Sequence, residues 1–171
     1  MKNPRLLRAF VLLLSGLLWS VGLQAQDKPA SPPATASGKI GKANVSVKYN
    51  SPAVKGRKIW GELVPYNQVW RAGANEATTI TTDQPLTVEG KTLPAGTYSL
   101  FAIPTDKQWT IVFNKTAKQW GAYKYDEKQD ALRVQVTPRK TLTSAEQLAY
   151  EVTDKGLVLR WENLEVPVAL K

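Results

Sequence analysis

The 171-residue chain contains neither cysteine nor histidine. Without histidine there is no Ser-His-Asp triad, no Cys-His nucleophile and no imidazole general base. Zinc, copper and haem sites built from imidazole or thiolate are excluded on the same ground. Without cysteine the fold has no disulfide, and no lipid can be attached to a thiol. The chain also lacks the GxGxxG, P-loop and GxSxG patterns that mark nucleotide sites and α/β-hydrolases. Any catalysis falls to carboxylates, Lys, Tyr, Ser or Thr, or to an oxygen-bound Ca²⁺ or Mg²⁺. The sequence calls for no cofactor and no metal, and a non-enzymatic role is the leading expectation.

What is present begins with a leader. Lys2, Arg5 and Arg8 precede an apolar run from Ala9 through Leu23, closed by Gly22, Gln24 and Ala25. This is the pattern of a secretory signal peptide over residues 1–25, with cleavage expected after Ala25 or Gly22. The run falls short of the ~20 residues that span a bilayer and is interrupted by Ser15, Gly16 and Ser20, so an uncleaved anchor is the weaker reading. The expected location is the periplasm or outside the cell. No later apolar segment is long enough to cross a membrane. Disulfides are available in that compartment and unused here, so stability must come from the core, for which five tryptophans remain after the leader.

Charge is modest once the leader is set aside. The net charge of +9 becomes +6 when Lys2, Arg5 and Arg8 are removed, leaving 20 basic side chains against 14 acidic ones. No basic run exceeds Arg57-Lys58, so nucleic acid is not an expected partner; a small molecule, a glycan or an envelope protein is. Residues 26–39, QDKPASPPATASGK, carry no large apolar side chain and read as a flexible Pro/Ala/Ser tether. The folded unit is expected over residues 40–171, a length that suits one domain with one core.

Its dominant period is two. Ala43, Val45, Val47 and Tyr49 alternate with polar residues, as do Trp109, Ile111 and Phe113, Leu132, Val134 and Val136, Leu148, Tyr150 and Val152, and Leu157, Leu159 and Trp161. Alternation of this kind makes strands with one buried face. Asp154-Lys155-Gly156 and Glu89-Gly90-Lys91 read as hairpin turns, and Pro167 inside the last apolar run marks an edge strand. Lys58–Val64 and Ala117–Tyr123 read as short helical or loop excursions. The expected fold is all-β: an antiparallel β-sandwich, jelly-roll-like, of about eight or nine strands with one or two short helices, with a closed or half-open barrel as the alternative.

Three groups of residues are candidates for function. Arg71, Asn75 and Glu76 stand in otherwise uncharged surroundings around Gly73; they could bind an anion or a polar ligand, or Arg71 and Glu76 could pair and tie a loop to the sheet. Glu62, beside Trp60, could join Glu76 as the two carboxylates of a glycan hydrolase. Trp120, Tyr123 and Tyr125 lie within six residues and could stack on sugar rings, while Trp60, Trp70, Trp109 and Trp161 read as core. Asp126, Glu127 and Asp130 read as a solvated acidic turn rather than a Ca²⁺ site.

The phrases SPAVKGRKIWGELVPYNQVWRAGANEATTI, LPAGTYSLFAIP, WTIVFNK and WGAYKYD, with the closing LRWENLEVPV, together resemble the DUF2911 family of exported bacterial proteins. The likeness runs from about Lys39 to Leu170. It implies a small envelope-associated domain and brings no activity with it. The functional expectation is therefore a ligand- or glycan-binding module, with a carboxylate-dependent glycan hydrolase or an assembly partner binding by sheet-edge pairing as alternatives.

Overall fold

The computed structural model describes residues 30–171; the leader, its cleavage site and the first residues of the expected tether lie outside the described residues. Ten strands are present among the described residues: β1 (Pro33–Ile40), β2 (Ala43–Asn50), β3 (Thr79–Thr82), β4 (Leu86–Val88), β5 (Lys91–Leu93), β6 (Gly96–Ile103), β7 (Trp109–Asn114), β8 (Asp130–Val136), β9 (Arg139–Thr153) and β10 (Gly156–Ala169). Six form one antiparallel sheet in the order β1-β2-β3-β6-β7-β8, a meander interrupted by the β4–β5 hairpin. β9 and β10 form a long antiparallel ribbon that completes the sandwich-like fold. No helix among the described residues is long and apolar enough to cross a membrane.

The period-two pattern places the core. Val47, Ile80 and Tyr98 lie opposite one another across β2, β3 and β6. Leu100 faces Phe113, Ala102 faces Ile111, and Ile111 faces Val134. Leu148, Tyr150, Leu157, Leu159, Trp161, Val166 and Val168 come down from the ribbon onto this face. Each fully buried large side chain contributes roughly 1.5–3 kcal/mol. Four of the tryptophans meet at the centre. The Trp60 ring stands edge-on to Trp70, Trp109 and Trp161 at 5.9, 4.9 and 5.7 Å, and Trp70 stacks on Trp161 at 5.9 Å. The indole N–H groups of Trp60, Trp109 and Trp161 are buried without a conventional acceptor. Edge-to-face packing turns the positive ring edge toward a neighbouring π face, a partial substitute for a hydrogen bond.

Several expectations are corrected. Residues 33–39 are not a tether: they form most of β1, paired along its whole length with β2 from Pro33↔Asn50 to Ile40↔Ala43. Small side chains, unable to build a core, suit an edge strand laid close over a neighbour. At Gly38 a Cβ would stand 2.9 Å from Val152 Cγ1, so β1 is held tightly against β9. Lys58–Val64 and Ala117–Tyr123 take the loop form of the two that the sequence allows, and the helical content of the described residues is a single 3₁₀ turn at Glu127–Gln129. The turn between β9 and β10 has two residues, Asp154 and Lys155, because Gly156 already pairs with Thr153. Glu89 and Gly90, both with positive φ (45° and 81°), close the β4–β5 hairpin as a type I′ turn does.

The sheet is also covered on its second face. Phe101 and Val112 are fully buried there, beneath Val69, Ala77, Ala122 and Tyr125. Alternation predicts a wet face for Val112. Two loops, 69–78 and 116–125, cross that face instead, and they carry the candidate functional residues other than Glu62.

Candidate functional site: a pinned aromatic platform

The first loop leaves the sheet at Trp70, whose backbone pairs with Ala102, and rejoins it at Thr79, opposite Ser99. Between them the chain is fastened from below. The Trp70 indole donates to the Gly73 carbonyl at 3.2 Å. The hydroxyls of Thr78 and Tyr150 both donate to the Ala72 carbonyl, at 2.9 and 2.7 Å. Ala72 and Asn75 adopt left-handed backbone conformations, with φ of 51° and 57°. That conformation is uncommon for alanine and persists only where the surroundings impose it. Two buried hydroxyls and an indole N–H impose it here.

The second loop pairs with the first. Glu76 and Trp120 form an antiparallel bridge, Ala77 N–H donates to the Gln119 carbonyl at 3.0 Å, and Gly121 N–H donates to the Asn75 carbonyl at 3.0 Å. Gln119 is itself buried and donates to the Thr116 carbonyl at 2.8 Å. Gly121 has φ of 63°, and a Cβ there would lie 2.9 Å from the Tyr123 ring, so that ring is folded back over the glycine.

The far end of the second loop is anchored by charge. Asp130, only 8% exposed at its side chain, accepts from the Tyr125 hydroxyl at 2.6 Å, from Arg133 Nε at 2.6 Å and from Asn114 Nδ2 at 2.8 Å. Arg133 also donates to the Tyr125 hydroxyl and pairs with Glu127 at 3.1 Å. Burial, and next the Asp130 carboxylate beside it, push the Tyr125 phenol up to about 12. Asp130 is thus a structural anchor and not part of a solvated acidic turn. The sequence hides this, since nothing in the local pattern shows that Asn114 reaches it from β7 and Arg133 from three residues along β8. Among the described residues no group of three acidic side chains is placed to hold a metal.

The expected site residues separate accordingly. Asn75, Glu76, Trp120 and Tyr123 are all exposed residues of the paired loops, and the backbone bridge sets Glu76 opposite Trp120. Trp120 is 62% exposed and Tyr123 83% exposed. Tyr125 belongs to the anchor: its hydroxyl is committed and its ring packs edge-on to Phe101 at 5.1 Å. Arg71 does not pair with Glu76 among the described residues; it is half-buried, and its Nε has no hydrogen-bond partner. Glu62 stands on the Ile59–Val64 turn and pairs with Lys58 at 3.0 Å, both side chains largely exposed. No hydrogen bond or ion pair among the described residues joins Glu62 to Glu76. Four hollows among the described residues lie elsewhere, lined by other residues.

These features define an all-β sandwich-like domain that presents two aromatic rings, an amide and a carboxylate on a rigid surface. Residues 31–170 match the family DUF2911, described as a protein of unknown function, and the chain belongs to that family. The match begins before Lys39 and takes in β1. No curated protein and no solved structure matches the chain.

Proposed function

We propose that this protein is an exported, non-catalytic module that binds glycans on the Trp120–Tyr123 surface. One observation carries the reading: Trp120 is exposed while its backbone is locked in the bridge to Glu76. The other four tryptophans of the described region are packed into one core cluster. An exposed indole costs solubility and invites non-specific contact, so a rigid mount for one points to use.

The chemistry suits a sugar. Indole and phenol rings offer flat apolar faces to the C–H face of a pyranose. Asn75 supplies a donor and an acceptor, and Glu76 an acceptor, at the edge where hydroxyls would project. Because the loops are already fixed, little ordering entropy is lost on binding. An open surface suits a polymer chain better than a small metabolite, which is usually enclosed. The basic leader and apolar run of residues 1–25 support export, where polymeric glycans occur.

Affinity electrophoresis through gels containing neutral β-glucan, xylan or polygalacturonate tests this. Retardation by at least one polysaccharide, abolished by Trp120→Ala and weakened by Tyr123→Ala or Asn75→Ala, is the expected result. Retardation unchanged in Trp120→Ala would place binding elsewhere.

A further inference from the structure

Five large apolar side chains stand exposed among the described residues: Trp120 and Tyr123 on the paired loops, and Leu63, Tyr66 and Leu142 away from them. The second group belongs to segments that border one hollow. Its volume of about 380 Å³ lies within the range of roughly 300–1,000 Å³ typical of binding clefts. Its accessible apolar walls are Tyr66, which is 38% exposed, and the half-buried Pro138 and Leu164. Leu63 stands on the turn that supplies Lys58, Ile59 and Trp60 to the lining. Single apolar residues scattered on a surface are ordinary, whereas three on the borders of a hollow make a patch.

Leu142 is placed by an irregularity in the β9–β10 ribbon. Between the pairs Glu162↔Ala145 and Leu164↔Lys140, β10 advances by two residues and β9 by five. The surplus of β9, residues 141–144, bulges outward, and Leu142 is fully exposed on it. The Thr141 hydroxyl donates to the Thr143 carbonyl at 2.9 Å, which closes the chain across Leu142 and fixes the bulge. Glu162, opposite its base, has a left-handed φ of 53°, uncommon for glutamate. Bulges re-aim a side chain at the expense of ladder pairing. Here the re-aimed side chain is a leucine with nothing around it, and the neighbouring Lys140, Glu162 and Leu164 line the hollow. A finger and a hollow therefore lie side by side.

The charges around the hollow are mixed. Its lining carries Lys58 and Lys140 against Asp106 and Glu162. On the flanking segments Lys55, Arg57, Lys107 and Arg139 stand with Glu62, Glu146 and Glu165. Lys58 pairs with Glu62 at 3.0 Å, and Glu165 pairs with Arg160 at 3.4 Å. A nearly neutral surface of mixed sign has little attraction for an anionic membrane or a strongly charged polymer. It suits a second copy of itself. A two-fold axis lays a patch onto its own image, so that lysines of one copy meet carboxylates of the other.

We infer that this face is the interface of a two-fold symmetric dimer, in which Leu142 of each copy enters the hollow of the other. The leucine meets Tyr66, Pro138 and Leu164, the walls that solvent reaches, and Leu63 adds to the apolar area covered. Because finger and hollow belong to one patch, the exchange is reciprocal and closes at two copies, with no free finger left to build a filament. The contact rests on few side chains and sits at the small end of specific interfaces, so the dimer exchanges with monomer.

Sedimentation velocity of the purified protein from about 1 to 200 μM reads the association. The protein is expected to pass from monomer to dimer across that range. Leu142→Asp alters a side chain that is fully exposed in the single chain, so it should keep the thermal melt and sediment as a monomer throughout. Leu142→Ala should raise the dissociation constant by at least about tenfold. The absence of cysteine permits a second, independent reading. Leu142→Cys and Asn163→Cys, made in separate chains and mixed, should be joined by a short bismaleimide, because Asn163 lines the hollow. Leu142→Cys mixed with Thr97→Cys should not, since Thr97 lies at the end of β6 far from Thr105 and Asp106. Trp120→Ala should dimerise as the unaltered protein does, which separates this face from the glycan surface. Monomer at every concentration, or a dimer that survives Leu142→Asp, would overturn the inference. So would co-sedimentation of a monomeric protein with phosphatidylglycerol vesicles that Leu142→Asp abolishes, which would assign the leucine to a lipid surface.

Discussion

The Tyr125 hydroxyl lies 2.6 Å from Asp130 Oδ2, and through this contact the loop bearing Trp120 and Tyr123 is tied to the first residue of β8. The same carboxylate holds Arg133 and Asn114, so its removal strands three donors in a mostly buried site. Asp130→Ala is expected to lower stability by about 2–3 kcal/mol, since each donor left unsatisfied is costly. Tyr125→Phe removes one contact and should cost about 1 kcal/mol. Urea denaturation of the two variants checks the order as well as the sizes. Equal, negligible effects would show that the loop is held by other means.

The tryptophans divide into two functional groups, and mutation should separate them. Trp120→Ala removes an exposed ring and should change stability by no more than about 0.5 kcal/mol. Trp60→Ala opens a hole at the centre of the aromatic cluster and should cost about 3–5 kcal/mol. Thermal melts of both variants, read beside their retardation in polysaccharide gels, give the comparison. Trp120→Ala should lose binding and keep its fold.

Alkaline pH should destabilise the protein. Burial raises the Tyr150 phenol, and burial together with Asp130 raises Tyr125 to about 12, against about 10 for a free phenol. The folded chain therefore keeps protons that the unfolded chain releases above about pH 10. Stability from these groups is complete below pH ~10 and falls as pH rises toward 12 and beyond. The melting temperature should drop between about pH 10 and 12, and Tyr150→Phe should drop less steeply. That variant starts lower, by about 1 kcal/mol, because the Ala72 carbonyl keeps only the Thr78 donor.

Gly156 should resist replacement. Its φ is 142°, and a Cβ there would stand 2.1 Å from the Val168 carbonyl oxygen. Gly156→Ala forces the β9–β10 turn away from the end of β10, at a cost of about 3 kcal/mol. Gly90→Ala meets no neighbour and carries only the backbone penalty of about 1–2 kcal/mol. Equilibrium unfolding should rank the two in that order.

The strands were legible because Val45, Val47, Ile111, Phe113, Leu157 and Leu159 alternate cleanly, and an alternating strand has one arrangement that buries its apolar face. The four core tryptophans and the hairpin turns follow from the same reading. β1 was not legible, because PATASGKI has the composition of a linker and becomes a strand only through its partner β2. The loop pairing of Glu76 with Trp120 was not legible either. It joins residues 44 positions apart through backbone groups, which side-chain pattern does not report. Asn75, Glu76, Trp120 and Tyr123 stand out in the sequence by residue type alone. The backbone pairing that joins their two loops, and the separate places of Glu62 and Tyr125, depend on tertiary contacts.

The most direct test of the account is the indole N–H spectrum of the ¹⁵N-labelled protein during titration with soluble oligosaccharides cut from whichever polysaccharide retards it. Trp120 is assigned by its absence in Trp120→Phe. The Trp120 resonance is expected to move and saturate while those of Trp60, Trp109 and Trp161, sealed in the core, stay in place. Saturable binding that leaves the Trp120 resonance unmoved would contradict it.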